Sequence, residues 1–118
     1  MKYMLMCCFD EKQWDRIPES ERADIMREYG ELLRRLDESG QHLSSTKLQP
    51  SLTATTIRGG NGPSVVVDGP FAETKEQLGG YHLVECTNLD EAIAIARRIP
   101  TIPFGGTVEV RPLEEMQP

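Results

Sequence analysis

The stretch Lys2-Tyr3-Met4-Leu5-Met6-Cys7-Cys8-Phe9 decides the architecture, because it is apolar at successive positions rather than at alternate ones. Successive side chains of a strand point to opposite faces, which puts Tyr3, Leu5, Cys7 and Phe9 on one face and Met4, Met6 and Cys8 on the other. A strand apolar on both faces is central in its sheet and covered on both sides. Residues 1–9 are too short to span a membrane, which takes ~20 apolar residues. They also lack the basic start and small-residue cleavage site of a secretory signal, so the expected location is the cytoplasm.

One cover for this strand follows directly. From Pro18 to Ser39, Ile25, Tyr29, Leu32, Leu33 and Leu36 recur at three- and four-residue spacing, with Pro18 near the start and Gly40 just past the end. That is the pattern of a long amphipathic helix. The mixed charges of Glu28 to Glu38 form its wet face. Further on, Gln41 to Leu48 reads as a returning strand, and Ala54–Arg58 and Ser64–Asp68 as a hairpin around Gly59-Gly60-Asn61-Gly62, whose residues supply positive φ angles. Gly80–Cys86 is a further strand. Asn88 caps a second helix, Leu89–Ile99, with Glu91 placed for a capping box and Pro100 as a stop. Val108–Pro112 closes the chain.

Without the glycine-rich hairpin the order is β-α-β-β-α-β, a ferredoxin-like α+β sandwich with two helices on one face of a four-stranded antiparallel sheet. The second apolar face of Lys2–Phe9 then lacks a cover, and the simplest one is a second copy packed back to back. At 118 residues there is room for one domain, 1–118, and one core. A chain of this size buries somewhat under ~70% of its unfolded surface, a margin that a homodimer would widen.

Composition narrows the function classes. A net charge of -6 without a basic stripe argues against nucleic acid, whose binders cluster Lys and Arg. The odd count of 3 cysteines makes no disulfide framework. Adjacent Cys7 and Cys8 point to opposite faces of a strand and cannot readily grip one metal. His42 and His82 have no carboxylate at metal-site spacing, so neither a metal nor a cofactor is expected. Gly59-Gly60-Asn61-Gly62 is no phosphate loop, for it lacks the following Lys-Ser or Lys-Thr and opens no helix.

The segment Asp68-Gly69-Pro70-Phe71-Ala72-Glu73-Thr74-Lys75-Glu76-Gln77-Leu78-Gly79-Gly80-Tyr81 carries the most information about a site. Pro70 fixes its own φ and pushes Gly69 towards extended geometry, giving a stiff bend at Asp68 with Phe71 as anchor. Glu73 to Leu78 is long enough for one or two helical turns before the glycines. In one reading Asp68 serves only its own turn. In the other, Asp68, Lys75 and Glu76 line a cleft at the sheet edge, where a carboxylate could act as general base and a Lys orient an anion. His82 sits on a strand face with Val84 and Cys86, as a satisfied core imidazole or as a proton shuttle. Tyr81 could assist. Arg58 could meet a ligand carboxylate or pair with Asp68 or Glu109, and Trp14 packs over the core edge. His42 is placed at the surface.

Taken together, Met1-Lys2-Tyr3-Met4-Leu5, Thr53-Ala54-Thr55-Thr56, the whole Asp68–Tyr81 segment, Leu89-Asp90-Glu91-Ala92 and Val108-Glu109-Val110-Arg111-Pro112 resemble the YCII-related family, in the branch named for its Asp-Gly-Pro-Phe motif, the DGPF domain proteins. The resemblance implies a dimeric ferredoxin-like α+β fold of the dimeric α+β barrel type. Relatives include versions fused to RNA polymerase sigma factors, which implies a possible transcription-related protein partner. A His-Asp pair proposed as active centre in the shorter branch does not carry over, because its positions correspond to Tyr29 and Ile99.

Three functional readings follow. The first is a cofactor-independent small-molecule-binding or enzyme-like domain, with Asp68 and His82 as catalytic residues and Lys75, Glu76, Tyr81 and Arg58 as ligand contacts. The second is a non-catalytic ligand-sensing or protein-interaction module associated with transcription. The third is a structural dimer without ligand. Whether the chain is an enzyme, the sequence leaves open.

Overall fold

The computed structural model describes residues 1–115. Strand β1 (Lys2–Phe9) is followed by a short helix α1 (Glu11–Arg16) and the long helix α2 (Glu19–Glu38). Strand β2 (His42–Lys47) leads to a two-stranded arm, β3 (Thr55–Arg58) and β4 (Val65–Asp68). Strand β5 (Gln77–Glu85), helix α3 (Leu89–Ala96) and strand β6 (Thr107–Pro112) complete the chain. The main sheet has the order β2-β5-β1-β6, with every neighbouring pair antiparallel, and it is open at both edges. This is the ferredoxin-like α+β arrangement, and β1 is interior to its sheet as its two apolar faces require.

The core lies between the sheet and the helices. Tyr3 and Leu5 of β1 and Val84 of β5 pack with Leu32 and Leu36 of α2 and with Ala92, Ile95 and Ile99 at α3. Alternation then turns Met4, Met6, Tyr81 and Leu83 to the opposite face, where Met6 pairs with Tyr81 and Met4 with Leu83. Those four side chains are only half-buried, because among the described residues no element crosses that face.

The arm stands apart from this slab. Its own strands pair Thr55–Arg58 with Val65–Asp68, yet Ile57 is 69% exposed, and Val65, Val66 and Val67 are exposed as well. The radius of gyration is 16.4 Å, against about 13.5 Å for a compact chain of this length. The extents of 49 × 46 × 18 Å describe one sheet under one helical layer, with the arm projecting sideways.

Local differences from the sequence reading have physical causes. Residues 73–76 form no helix, and β5 begins at Gln77 and runs straight through Gly79-Gly80. Those glycines are structural rather than chain-breaking. A Cβ on Gly80 would lie 2.4 Å from the Thr46 carbonyl oxygen of β2, and the register between β1 and β5 shifts between Cys7 and Cys8 to leave Gly79 as an extra residue. Helix α1, absent from the sequence reading, is started by Asp10, whose side chain accepts from the Lys12 amide at 3.0 Å. It carries the half-buried Trp14, edge-on to Phe9 at 6.2 Å. Helix α3 stops at Ala96, ahead of Ile99: the Arg98 and Ile99 amides donate three residues back, to the Ile95 and Ala96 carbonyls, and Pro100 has no N–H with which to continue the four-residue ladder. Asn88 caps α3 through the Glu91 amide, but the Glu91 carboxylate accepts from Gln41 instead of closing a capping box. No helix among the described residues is long and apolar enough to cross a membrane.

Candidate functional site

The Asp68–Tyr81 segment does build a cleft. Gly69 turns the chain with φ +101°, a left-handed value open to glycine and not the extended geometry expected from Pro70 alone. The turn is fastened to β3 and the residue before it by three bonds: the Gly69 amide donates to the Ala54 carbonyl at 2.7 Å, the Thr56 hydroxyl donates to the Gly69 carbonyl at 2.7 Å, and the Arg58 guanidinium donates to the Phe71 carbonyl. On the opposite wall the Glu11 carboxylate accepts from the Ser51 amide and hydroxyl at 2.8 and 2.9 Å, while Gln77 accepts from the Glu11 amide at 2.9 Å. Between these walls lies an open cleft of ≈ 430 Å³, bounded by Leu48, Ala54, Thr56, Pro70, Phe71 and Leu78 among others, with no charged side chain in its lining.

The predicted site residues are dispersed rather than convergent. Asp68 lies exposed at the end of β4, paired across the arm with Thr55, and its carboxylate accepts no hydrogen bond among the described residues. Arg58 is committed to the Phe71 carbonyl. Lys75 is exposed, and Glu76 accepts from the hydroxyl of Thr107, the first residue of β6, at 3.1 Å. Tyr81 faces the open side of the sheet, whereas His82 faces the helices. Asp68 and His82 therefore belong to different sheets and are not neighbours within one chain.

His82 instead terminates a row of polar groups that sequence reasoning missed. Its Nδ1 lies 2.6 Å from Ser45 Oγ; Ser45 Oγ lies 2.6 Å from His42 Nε2; and His42 Nδ1 lies 2.6 Å from Asp37 Oδ1. Local structure explains the alignment. Gly40, at φ +75°, ends α2 with the Gln41 amide donating back to the Leu36 carbonyl, which brings the end of the helix against the start of β2. A bulge between His42 and Ser44 then shifts the pairing so that His42 faces Val84 and Ser45 faces His82. Three residues apart in a regular strand, the two would point to opposite sides. Here both point to the helices.

His82 is 8% exposed, with the Tyr29 ring tilted over it at 5.9 Å. Burial, and then the neighbouring His42, lower its pKa from the ordinary 6.5, so the ring is neutral at neutral pH. Burial raises the pKa of Tyr29, whose hydroxyl lies near Cys7 and Thr101, and burial raises that of Cys7 too. The groups around His82 are thus neutral, and the negative charge of the row stays at its solvent end, where the Asp37 side chain is 63% exposed. Among the described residues no three or more His, Cys, Asp or Glu gather to hold a metal ion.

A family model for the YCII-related domain matches residues 1–117. The chain belongs to the YCII-related family. A curated relative from Rhizobium meliloti, an uncharacterised protein, is 39% identical over 119 residues, covering 100% of this chain and 96% of its own length. The YCII-related domain thus occupies almost the entire chain, and both the cleft and the imidazole row are features of it.

Proposed function

We propose that this YCII-related domain binds a small, largely apolar molecule in the cleft beneath Pro70 and Phe71, and that it does so as a homodimer. The observation that carries the reading is the cleft itself: its ≈ 430 Å³ falls within the ~300–1,000 Å³ usual for ligand sites. Its walls are held by the bonds to Ala54, Thr56 and Arg58. An uncharged lining of aliphatic, hydroxyl and amide groups suits a neutral molecule with one or two hydrogen-bonding groups, since a buried charge without a partner is costly. The Asp-Gly-Pro-Phe turn that names the DGPF branch forms one wall. Asp68 pairs with Thr55, on the face of the arm opposite to that of Thr56 and the cleft lining, so binding is proposed without a catalytic role for Asp68, and the location most consistent with this reading is the cytoplasm.

A thermal-shift screen with neutral phenols, aromatic amides and lactones tests the cleft. A ligand present at 100 times its Kd stabilises the folded state by about 2.7 kcal/mol, a shift of several degrees for a chain of this size. The rise is expected to vanish in Ala72→Trp, which places an indole at the exposed rim of the cleft. A panel that leaves the melting temperature unmoved, or a hit that shifts wild type and variant alike, would overturn the reading.

The homodimer draws on two uncovered apolar surfaces, the arm with Ile57 and Val65–Val67 and the sheet face with Met4, Met6, Tyr81 and Leu83. Light scattering at micromolar concentration is expected to return twice the 13.3 kDa of one chain. Val66→Asp, at an exposed position where folding has no need of the valine, is expected to return a single chain. A wild-type monomer would sink the dimer, and repeated capture of a transcription-related protein by that monomer would favour an interaction module instead.

A further inference from the structure

The four groups Asp37, His42, Ser45 and His82 are joined by three contacts of 2.6 Å, and their donors and acceptors can be ordered from one end. An ionised carboxylate only accepts, so His42 Nδ1 carries the hydrogen that faces Asp37. His42 Nε2 is then bare when the ring is neutral, and must accept from the Ser45 hydroxyl. With its single hydrogen used, Ser45 Oγ can only accept from His82 Nδ1–H. That leaves His82 Nε2 with a free lone pair, and it makes no hydrogen bond among the described residues. One surface carboxylate thereby sets the hydrogen position of two imidazoles.

We propose that this row is a proton relay between solvent at the end of α2 and the buried His82 Nε2, a proton-accepting site distinct from the Pro70–Phe71 cleft. The step is balanced within the chain. A proton bonds to His82 Nε2; the Nδ1–H bond of His82 breaks, and that hydrogen passes to Ser45 Oγ; the original Ser45 hydrogen passes to His42 Nε2. His82 ends neutral with its hydrogen on Nε2. The positive charge ends on His42, against the Asp37 carboxylate and nearer water, where solvation favours it. Burial between Leu5, Val84 and the Tyr29 ring disfavours an ionised proton donor. The donor class is an uncharged weak acid such as a phenol, whose O–H bond breaks as the Nε2–H bond forms and whose electron pair stays on oxygen as the phenolate, its charge balanced by the His42 imidazolium. The titratable groups facing the relay are Tyr29 from α2 and, beside it, Cys7 from β1, both kept neutral by burial.

The chain has 2 histidines, so long-range ¹H–¹⁵N correlation spectra of the full-length protein resolve the relay as two ring systems. Above the His42 titration both rings are expected in the Nδ1–H form, the minority tautomer of free imidazole. Through that titration, His82 is expected to switch to the Nε2–H form while staying uncharged. Ser45→Ala removes the link, and His82 should then hold one tautomer throughout. Should that variant fail to fold, Asp37→Ala, at an exposed helix end, should still abolish the Nδ1–H preference of His42 and the coupled switch. Wild-type His82 protonated at Nε2 above the His42 titration, or an Asp37→Ala spectrum identical to wild type, would overturn the proposal. Neither outcome bears on ligand binding in the cleft, so the two readings fail separately.

Discussion

Leu5→Ala is expected to lower the stability of the fold by about 3–4 kcal/mol, the middle of the range for a leucine truncated in a well-packed core. Leu5 is 0% exposed on β1, between His82 of β5 and Val110 of β6, under Leu32 and Leu36 of α2. Neighbours on three elements limit how far the site can collapse around the missing atoms, so the cavity contribution stays large. A domain of this size holds roughly 5–15 kcal/mol in all. The loss is therefore a large share of it, and the melting temperature should fall by ten degrees or more. Urea denaturation of wild type and variant measures it; a difference below about 1 kcal/mol would mean that the core has been placed wrongly.

The second large effect comes from a glycine. Gly80→Ala would bring a methyl group to 2.4 Å from the Thr46 carbonyl oxygen and 3.3 Å from the Lys47 Cα. Both are backbone atoms that cannot rotate aside, so β2 must move off β5. A cost of about 2–3 kcal/mol is expected from overpacking of this kind, and because Ser45 precedes Thr46, the contact between Ser45 and His82 should be lost as well. Gly79→Ala is the control. Its nearest atom would be the Cys7 carbonyl oxygen at 3.7 Å, an ordinary contact, and its effect should stay below about 1 kcal/mol. Denaturation curves that rank the two variants the other way would contradict the register between β2 and β5.

Much of the fold could be read from the chain because its signals are local and periodic. The two-faced apolar run of β1, the three- and four-residue spacing of α2 and the glycine-rich turn between β3 and β4 each follow from a single repeat of side-chain direction. The site was less legible, for two different reasons. Asp68 and His82 looked like partners because both are chemically versatile, but nothing in sequence spacing distinguishes an arm projecting from the slab from a loop folded back over it. The imidazole row was hidden by the bulge at Leu43: in a regular strand His42 and Ser45 face opposite sides, and only the register shift between His42 and Ser44 puts them together. A spacing of five from Asp37 to His42 across Gly40 was the one available hint, since a glycine-ended helix turns its last residues towards the next strand.

The cleft under the Asp68–Phe71 turn carries the functional reading, and the most direct measurement is amide chemical-shift mapping of ¹⁵N-labelled protein titrated with a ligand found by thermal shift. The amides of Ala54, Thr56, Phe71 and Leu78 are predicted to move together with a single Kd, and to stay still in Ala72→Trp. Saturable shifts confined to other surfaces, with those four amides unmoved, would contradict it.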